Sequence, residues 1–315
     1  MIAVLVRRIV GLVATVLLAS VIVFFVLGVL PGDPARMLLG TDASADAVAA
    51  LRTQMGLDRP LPERYVAWFA DTLSGDLGRS LSYGVPVAEL IAERAVVSMP
   101  LAVGALLLTM AIAFPLGTLA AARRGRLVDR VIVLLAQVGI AVPNFWFAIL
   151  LVQLFAVTLR VVPSGGFPGW GDPADALLAL TLPAIALAIP QAAILANIVR
   201  STLVDVLSRD FVRTAMAKGV GRGRLLVHHA LRNGLLPVLT IMGLQFAFLI
   251  SGVVIVEQVF SLPGLGRLAF EAISRQDVPV VQGVVVCLVA LVIAVNFAVD
   301  LLYVLADPRL RTADR

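Results

Sequence analysis

Apolar residues fill six long runs of this chain, over residues 9–30, 99–121, 131–157, 177–199, 235–256 and 282–305, and the charged residues fall almost entirely between them. At about 1.5 Å of helical rise per residue, roughly 20 apolar residues cross the ~30 Å hydrocarbon core of a bilayer. Backbone polar groups in lipid must be satisfied within the span itself, so the pattern predicts six transmembrane helices and an all-α membrane protein. The first run follows Arg7 and Arg8, a start that a secretory leader would share. It is longer than the apolar region of a leader, and Pro31-Gly32-Asp33-Pro34 offers no small-x-small cleavage site, so it is read as the first span.

The polar segments give the organisation. Residues 31–100 hold nine of the 20 carboxylates and six arginines, interrupted by Pro34, Gly40, Gly56, Pro60, Pro62, Gly75, Gly78, Gly84 and Pro86. That composition predicts a soluble insert of about three short helices, with Ser44 capping the first and Pro62 and Pro86 in the opening turns of the second and third. The expected division is a tail with the first span (1–30), an extracytoplasmic helical insert (31–98) and a five-helix core (99–315) containing a polar loop at 200–234. An amphipathic cap and a ligand-contacting surface remain alternative roles for the insert.

Proline and amide residues punctuate three spans. Pro143-Asn144 lies near the middle of the third span, Pro183, Pro190 and Gln191 lie in the fourth, and Gln245 in the fifth. Proline bends membrane helices where neighbours satisfy the freed carbonyls, and bent helices can line a cavity. Asn144 is about 13 residues into its span, Gln191 about 14 and Gln245 about 10; since these spans alternate in direction, the three amides share the bilayer midplane. They are candidates for a translocation path, and helix-to-helix hydrogen bonding is the competing role.

Composition agrees with the pattern: 60% hydrophobic residues, 14% charged and a mean hydropathy of +1.01 exclude a soluble domain of 315 residues. The net charge of +5 is explained by sidedness rather than by nucleic acid. With both termini inside, the cytoplasmic segments carry 2, 4, 7 and 3 basic residues and the external ones 6, 1 and 2, that is 16 against 9. The single cysteine, Cys287, sits in an apolar run, forms no intramolecular disulfide and is read as packing.

Seven of the 25 basic residues fall between Arg200 and Arg232. Apolar residues recur there at helical spacing, first Phe211 and Ala215, then Leu225, Leu226, Ala230 and Leu231, and Gly219, Gly221 and Gly223 separate the two runs. Two short surface helices joined by a glycine turn form a docking platform more readily than a spacer. The stretch Arg213-Thr214-Ala215-x-Ala217-Lys218-Gly219, with His229-Ala230-Leu231-Arg232-Asn233 and Leu236-Pro237, resembles the cytoplasmic coupling loop of binding-protein-dependent ABC transporter permeases. The match is to the branch that imports dipeptides, oligopeptides and nickel, in which Arg213 stands where general permeases have Glu. LPGDP, GLDRPLPERY, SGDLGRSL, VFSLPGLGRL and the DPRL tail resemble the same branch, so the resemblance covers nearly the whole chain. It implies a type I importer permease in the bacterial inner membrane, paired with a second, usually different, permease chain, two ATP-binding subunits and an extracytoplasmic solute-binding protein. It also implies that Arg213, Thr214, Ala215, Ala217, Lys218 and Gly219 meet the ATPase.

Other chemistries find little support. The spans hold one charged residue, Asp300, too few for a catalytic site. His228 and His229 are adjacent and project about 100° apart on a helix, which is wrong for gripping one metal. No G-x-x-x-x-G-K-[ST] loop occurs, and the glycine pairs have no strand before them, so no metal, nucleotide or other cofactor site is expected. A self-contained secondary transporter would need buried ionisable relays and internal symmetry, and a scaffold or channel subunit would not need the glycine-hinged loop.

Overall fold

A computed structural model describes residues 2–28, 34–40, 43–221, 223, 225 and 232–306. Twelve α-helices and one π-helical segment run through the described residues. Among them, five helices are long and apolar enough to cross a membrane, or six if the bent pair Leu127–Ala141 and Asn144–Thr158 counts as one span. The chain divides into two compact units, residues 2–98 with 263–293, and residues 99–262 with 294–306.

In the first unit, helix α1 (Ile2–Gly28) is followed by α2 (Pro34–Leu39), α3 (Ala45–Gln54) and α4 (Leu61–Ser74). Ser44 caps α3, its side chain accepting the Ala47 N–H at 3.3 Å, as a serine before an apolar-periodic run should. Pro62 occupies the first turn of α4, where its missing N–H has no partner to lose, and Gly75 ends that helix at φ +89°. Phe24 of α1 stacks edge-on against Tyr65 and lies 5.4 Å from the Trp68 ring, while the Ser20 hydroxyl bonds Tyr65 at 2.8 Å. A serine in an apolar helix thus finds its partner on α4.

The insert differs from expectation in two ways. An extra helix, α2, precedes the Ser44-capped one. The helix expected after Pro86 is no separate element: it forms the first turns of α5 (Val87–Ala122), which runs 36 residues through the expected boundary at residue 98 without a break. Two further helices, α11 (Leu265–Ser274) and α12 (Val278–Ala306), contribute to this unit, and residues 278–281, expected in a loop, are helical.

The second unit holds the rest of α5, α6 (Leu127–Ala141), α7 (Asn144–Leu151), the π-helical Val152–Thr158, α8 (Pro173–Leu207), α9 (Asp210–Ala217) and α10 (Arg232–Val259). Its core joins α5, α8 and α10 through Ala113, Ala121, Ala192, Leu195, Ala196, Val199, Leu203 and Val238. Four of these eight are alanines, which let membrane helices gain by close backbone approach. Gly117 is the extreme case: a Cβ there would lie 2.7 Å from the Ala196 carbonyl and 2.8 Å from Val199.

Proline acts differently in the two helices that carry it. The third span breaks by 99° between α6 and α7, where only a bend was expected. Val142, forced toward extended backbone by Pro143 (φ −82°, ψ 121°), ends α6, and α7 restarts at Asn144. By contrast, α8 continues as one helix through Pro183 and Pro190, so Pro190 does not open the backbone beside Gln191. Helix α10 likewise extends past the expected end of the fifth span and takes in Glu257 and Gln258.

Candidate functional site

Helix α9 and the turn after it carry most of the residues expected to dock a partner. A two-residue turn joins it to α8, closed by the Ser208 and Arg209 N–H groups donating to Asp205 and Val206, each at 3.2 Å. Val212 is buried and anchors the helix, while Phe211 and Met216 are 40% and 47% exposed. Thr214, Ala217, Lys218 and Gly219 are exposed and Ala215 is half-buried. This eight-residue helix buries one valine among its described side chains and leaves an aromatic ring and a thioether partly exposed.

Gly219 sets how this helix ends. It lies at φ +79°, its N–H reaches the Met216 carbonyl at 2.9 Å, and the Val220 N–H reaches back to Ala215 at 3.2 Å. That pair of bonds is the Schellman arrangement, which needs a left-handed residue at this place. The side chain of Arg213 lies outside the described residues. So do residues 226–231, including His228, His229 and most of the second expected helix, and the side chain of Asp300.

The three amides lie on α7, α8 and α10, one on each. Asn144 opens α7 and is half-buried; a Cβ on Gly252 of α10 would sit 3.3 Å from its Nδ2 and 3.0 Å from Leu187 of α8. Gln191 is one turn beyond Leu187, and Gln245 two turns before Gly252. Both are buried, at 6% and 5% exposure. Among the described residues, the Gln191 Oε1 and both amide atoms of Gln245 have no hydrogen-bond partner. A buried amide atom left without a hydrogen bond is destabilising by about 1–3 kcal/mol.

Two carboxylates that sequence reasoning did not single out prove structurally central. Asp129, in the first turn of α6 and 3% exposed, accepts the Nε and Nη2 of Arg200, the second at 2.8 Å, together with the Gly125 N–H at 2.8 Å. Its signal was available: a lone acid among Arg124, Arg126 and Arg130, at the same edge of the hydrophobic pattern as Arg200. In the other unit, Asp277 is fully buried and gathers the loop before α5, accepting the Ser80 hydroxyl at 2.5 Å and the Leu81 and Ser82 N–H groups at 3.1 and 2.9 Å. No local pattern pairs residues about 200 apart, so only the fold reveals this contact.

With this geometry in view, comparison with known proteins is informative. Residues 113–312 match the family described as binding-protein-dependent transport system inner membrane component, and residues 1–99 match its N-terminal companion. The chain is 39% identical over 306 residues to a probable peptide ABC transporter permease protein of Sinorhizobium fredii, covering 97% of this chain and 98% of the relative. It is 41% identical over 312 residues to a putative peptide transport system permease protein of Brucella abortus, with 99% of each covered. A glutathione transport system permease protein, GsiC of Salmonella choleraesuis, is 39% identical over 305 residues, 97% of each. Among solved structures, the inward-facing MetNI methionine ABC transporter shares the fold, with a TM-score of 0.56 at 15% identity over 69% of this chain and 96% of that one.

Proposed function

Because the chain belongs to the family of binding-protein-dependent transport system inner membrane components, and so is the membrane-spanning permease subunit of an ATP-driven importer, we propose that its solutes are small peptides, glutathione among them, and that the two polar features described above divide the work. The carrying observation is the agreement in length and sequence with peptide and glutathione permeases from end to end. As a family member the chain works with ATPase and solute-binding partners. The finer arrangement proposed is a second, different permease chain and two ATPase subunits, with both termini and the 200–234 loop in the cytoplasm and the 31–98 insert outside. The chain itself binds no nucleotide.

In this reading Arg213, Thr214, Ala215, Ala217, Lys218 and Gly219 form the surface that enters the ATPase subunit, with Phe211 and Met216 supplying apolar contact. Nucleotide-driven closure of the ATPases moves α9, and α8 follows because the turn between them is only two residues long. Asn144, Gln191 and Gln245 line the path when it opens. A primary amide offers the same donor and acceptor as a peptide group, so a neutral amide layer engages peptide backbones of any side-chain charge without trapping them.

The test is reconstitution in proteoliposomes with the ATPase, second permease and binding-protein chains of its transporter. Uptake of labelled di- and tripeptides, glutathione included, should require ATP and the binding protein. ATPase activity stimulated by a binding protein loaded with a non-peptide solute, without uptake of any peptide, overturns the substrate assignment. Cysteine at 144, 191 or 245 in a Cys287→Ala background should react with a small water-soluble thiol reagent in one nucleotide state more than another. Equal protection in every state, with stability lost in each variant, assigns the amides to helix packing.

A further inference from the structure

We infer that the Asp129–Arg200 ion pair is the pivot through which movement of α9 reaches the broken helix α6–α7, a positioning role that rests on the function proposed above. Arg200 lies two turns before the end of α8, and the two-residue turn and the buried Val212 make α9 move with that end. On the other side, Asp129 holds three donors at once: the two guanidinium nitrogens of Arg200 and the Gly125 N–H from the turn that follows α5. One carboxylate therefore ties α5, α6 and α8 together at the same end. The two-pronged contact fixes direction as well as distance, which a lysine in place of Arg200 could not do.

Further along, α6 and α8 approach closely. Gly139, near the far end of α6, faces Ala193 so closely that a Cβ on the glycine would lie 3.0 Å from the alanine methyl. That close approach packs the two backbones together at this end, while the charged pair fixes direction and distance at the other. The lever from Asp129 to Ala141 is twelve residues, about 18 Å at helical rise. At its tip the chain turns by 99° into Asn144, beside Gly252 and Leu187. Movement of the α8 end is thereby handed to α6 and carried along it to the break that positions Asn144.

The experiment uses the assembled transporter carrying Asn144→Cys in the Cys287→Ala background, with labelling at position 144 compared between nucleotide-free and ATP–vanadate-trapped states. With Asp129 and Arg200 intact, labelling differs between the two states. Asp129→Asn and Arg200→Gln should each lose most of that difference while the ATPase chains remain bound, the double variant should be no worse than either, and Arg200→Lys should fall between. Non-additivity of this kind identifies two residues acting as one unit. A difference that survives Asp129→Asn, or losses that simply add, overturns the inference even if melting temperature falls. Where Asp129→Asn does not assemble, Arg200→Lys decides: an undiminished difference in it overturns the proposal. No difference in the parent transporter overturns the path reading and this inference together.

Discussion

At the residue scale, two positions carry distinct constraints. A Cβ on Gly219 would have no described atom within 4 Å, so the penalty there is the left-handed backbone. Gly219→Val should therefore weaken the end of α9 by about 1–2 kcal/mol, with insertion in the membrane intact. Transport and transport-stimulated ATP hydrolysis should fall together, whereas Gly219→Asn, which tolerates φ > 0, should keep most of both. A valine variant that transports normally and still retains its ATPase would reduce this stretch to an orienting loop. Asp277 is constrained by chemistry instead of by backbone. Asp277→Ala strands three donors, and a loss on the order of 2–4 kcal/mol is expected. Thermal unfolding in detergent would measure it, and limited proteolysis should cut first in the loop of residues 78–86, which Asp277 holds.

The element scale is where proline shows two behaviours that one residue type cannot explain. In α8, Pro183 and Pro190 are both buried in a helix packed against α6, α7 and α10, and the neighbours hold the backbone helical. In the third span, Val142 adopts the extended backbone that a following proline favours and the helix turns by 99°. Pro143→Ala lifts that restriction and restores a donor, so α6 and α7 should tend toward one helix and Asn144 should leave the neighbourhood of Gly252. Uptake should fall by about tenfold or more, equivalent to at least 1.4 kcal/mol of misplacement in a rate-determining step. Unchanged uptake would mean that other contacts, and not the proline, set the break.

For the whole molecule, the prediction concerns what the chain does by itself. Purified alone in lipid it should show no ATP hydrolysis above the lipid blank, and activity should appear only when ATPase chains are added. Turnover by the isolated chain would sink the division of labour proposed above. Reporter fusions give an independent check of orientation: fusions after residues 126 and 209 should report cytoplasm, and fusions after residues 58 and 166 the opposite side. An inverted pattern would remove α9 from the side where ATP is available.

The amino-acid sequence was enough for the class and for where the long apolar helices run, because apolar runs of this length have one stable solution in a bilayer and its period is written locally. It also located the α9 segment, the glycine that ends it and the Ser44 cap, since each depends on neighbours within a few residues. The tertiary structure decided the rest. Whether a proline bends, breaks or leaves a helix intact depends on what packs around it, so Pro143 and Pro190 read alike in the sequence and differ in the fold. Similarly, the burial of Gln191 and Gln245 and the partners of Asp129 and Asp277 are contacts between segments far apart in the chain. Such pairings are set by how helices assemble, and no spacing along the chain records them.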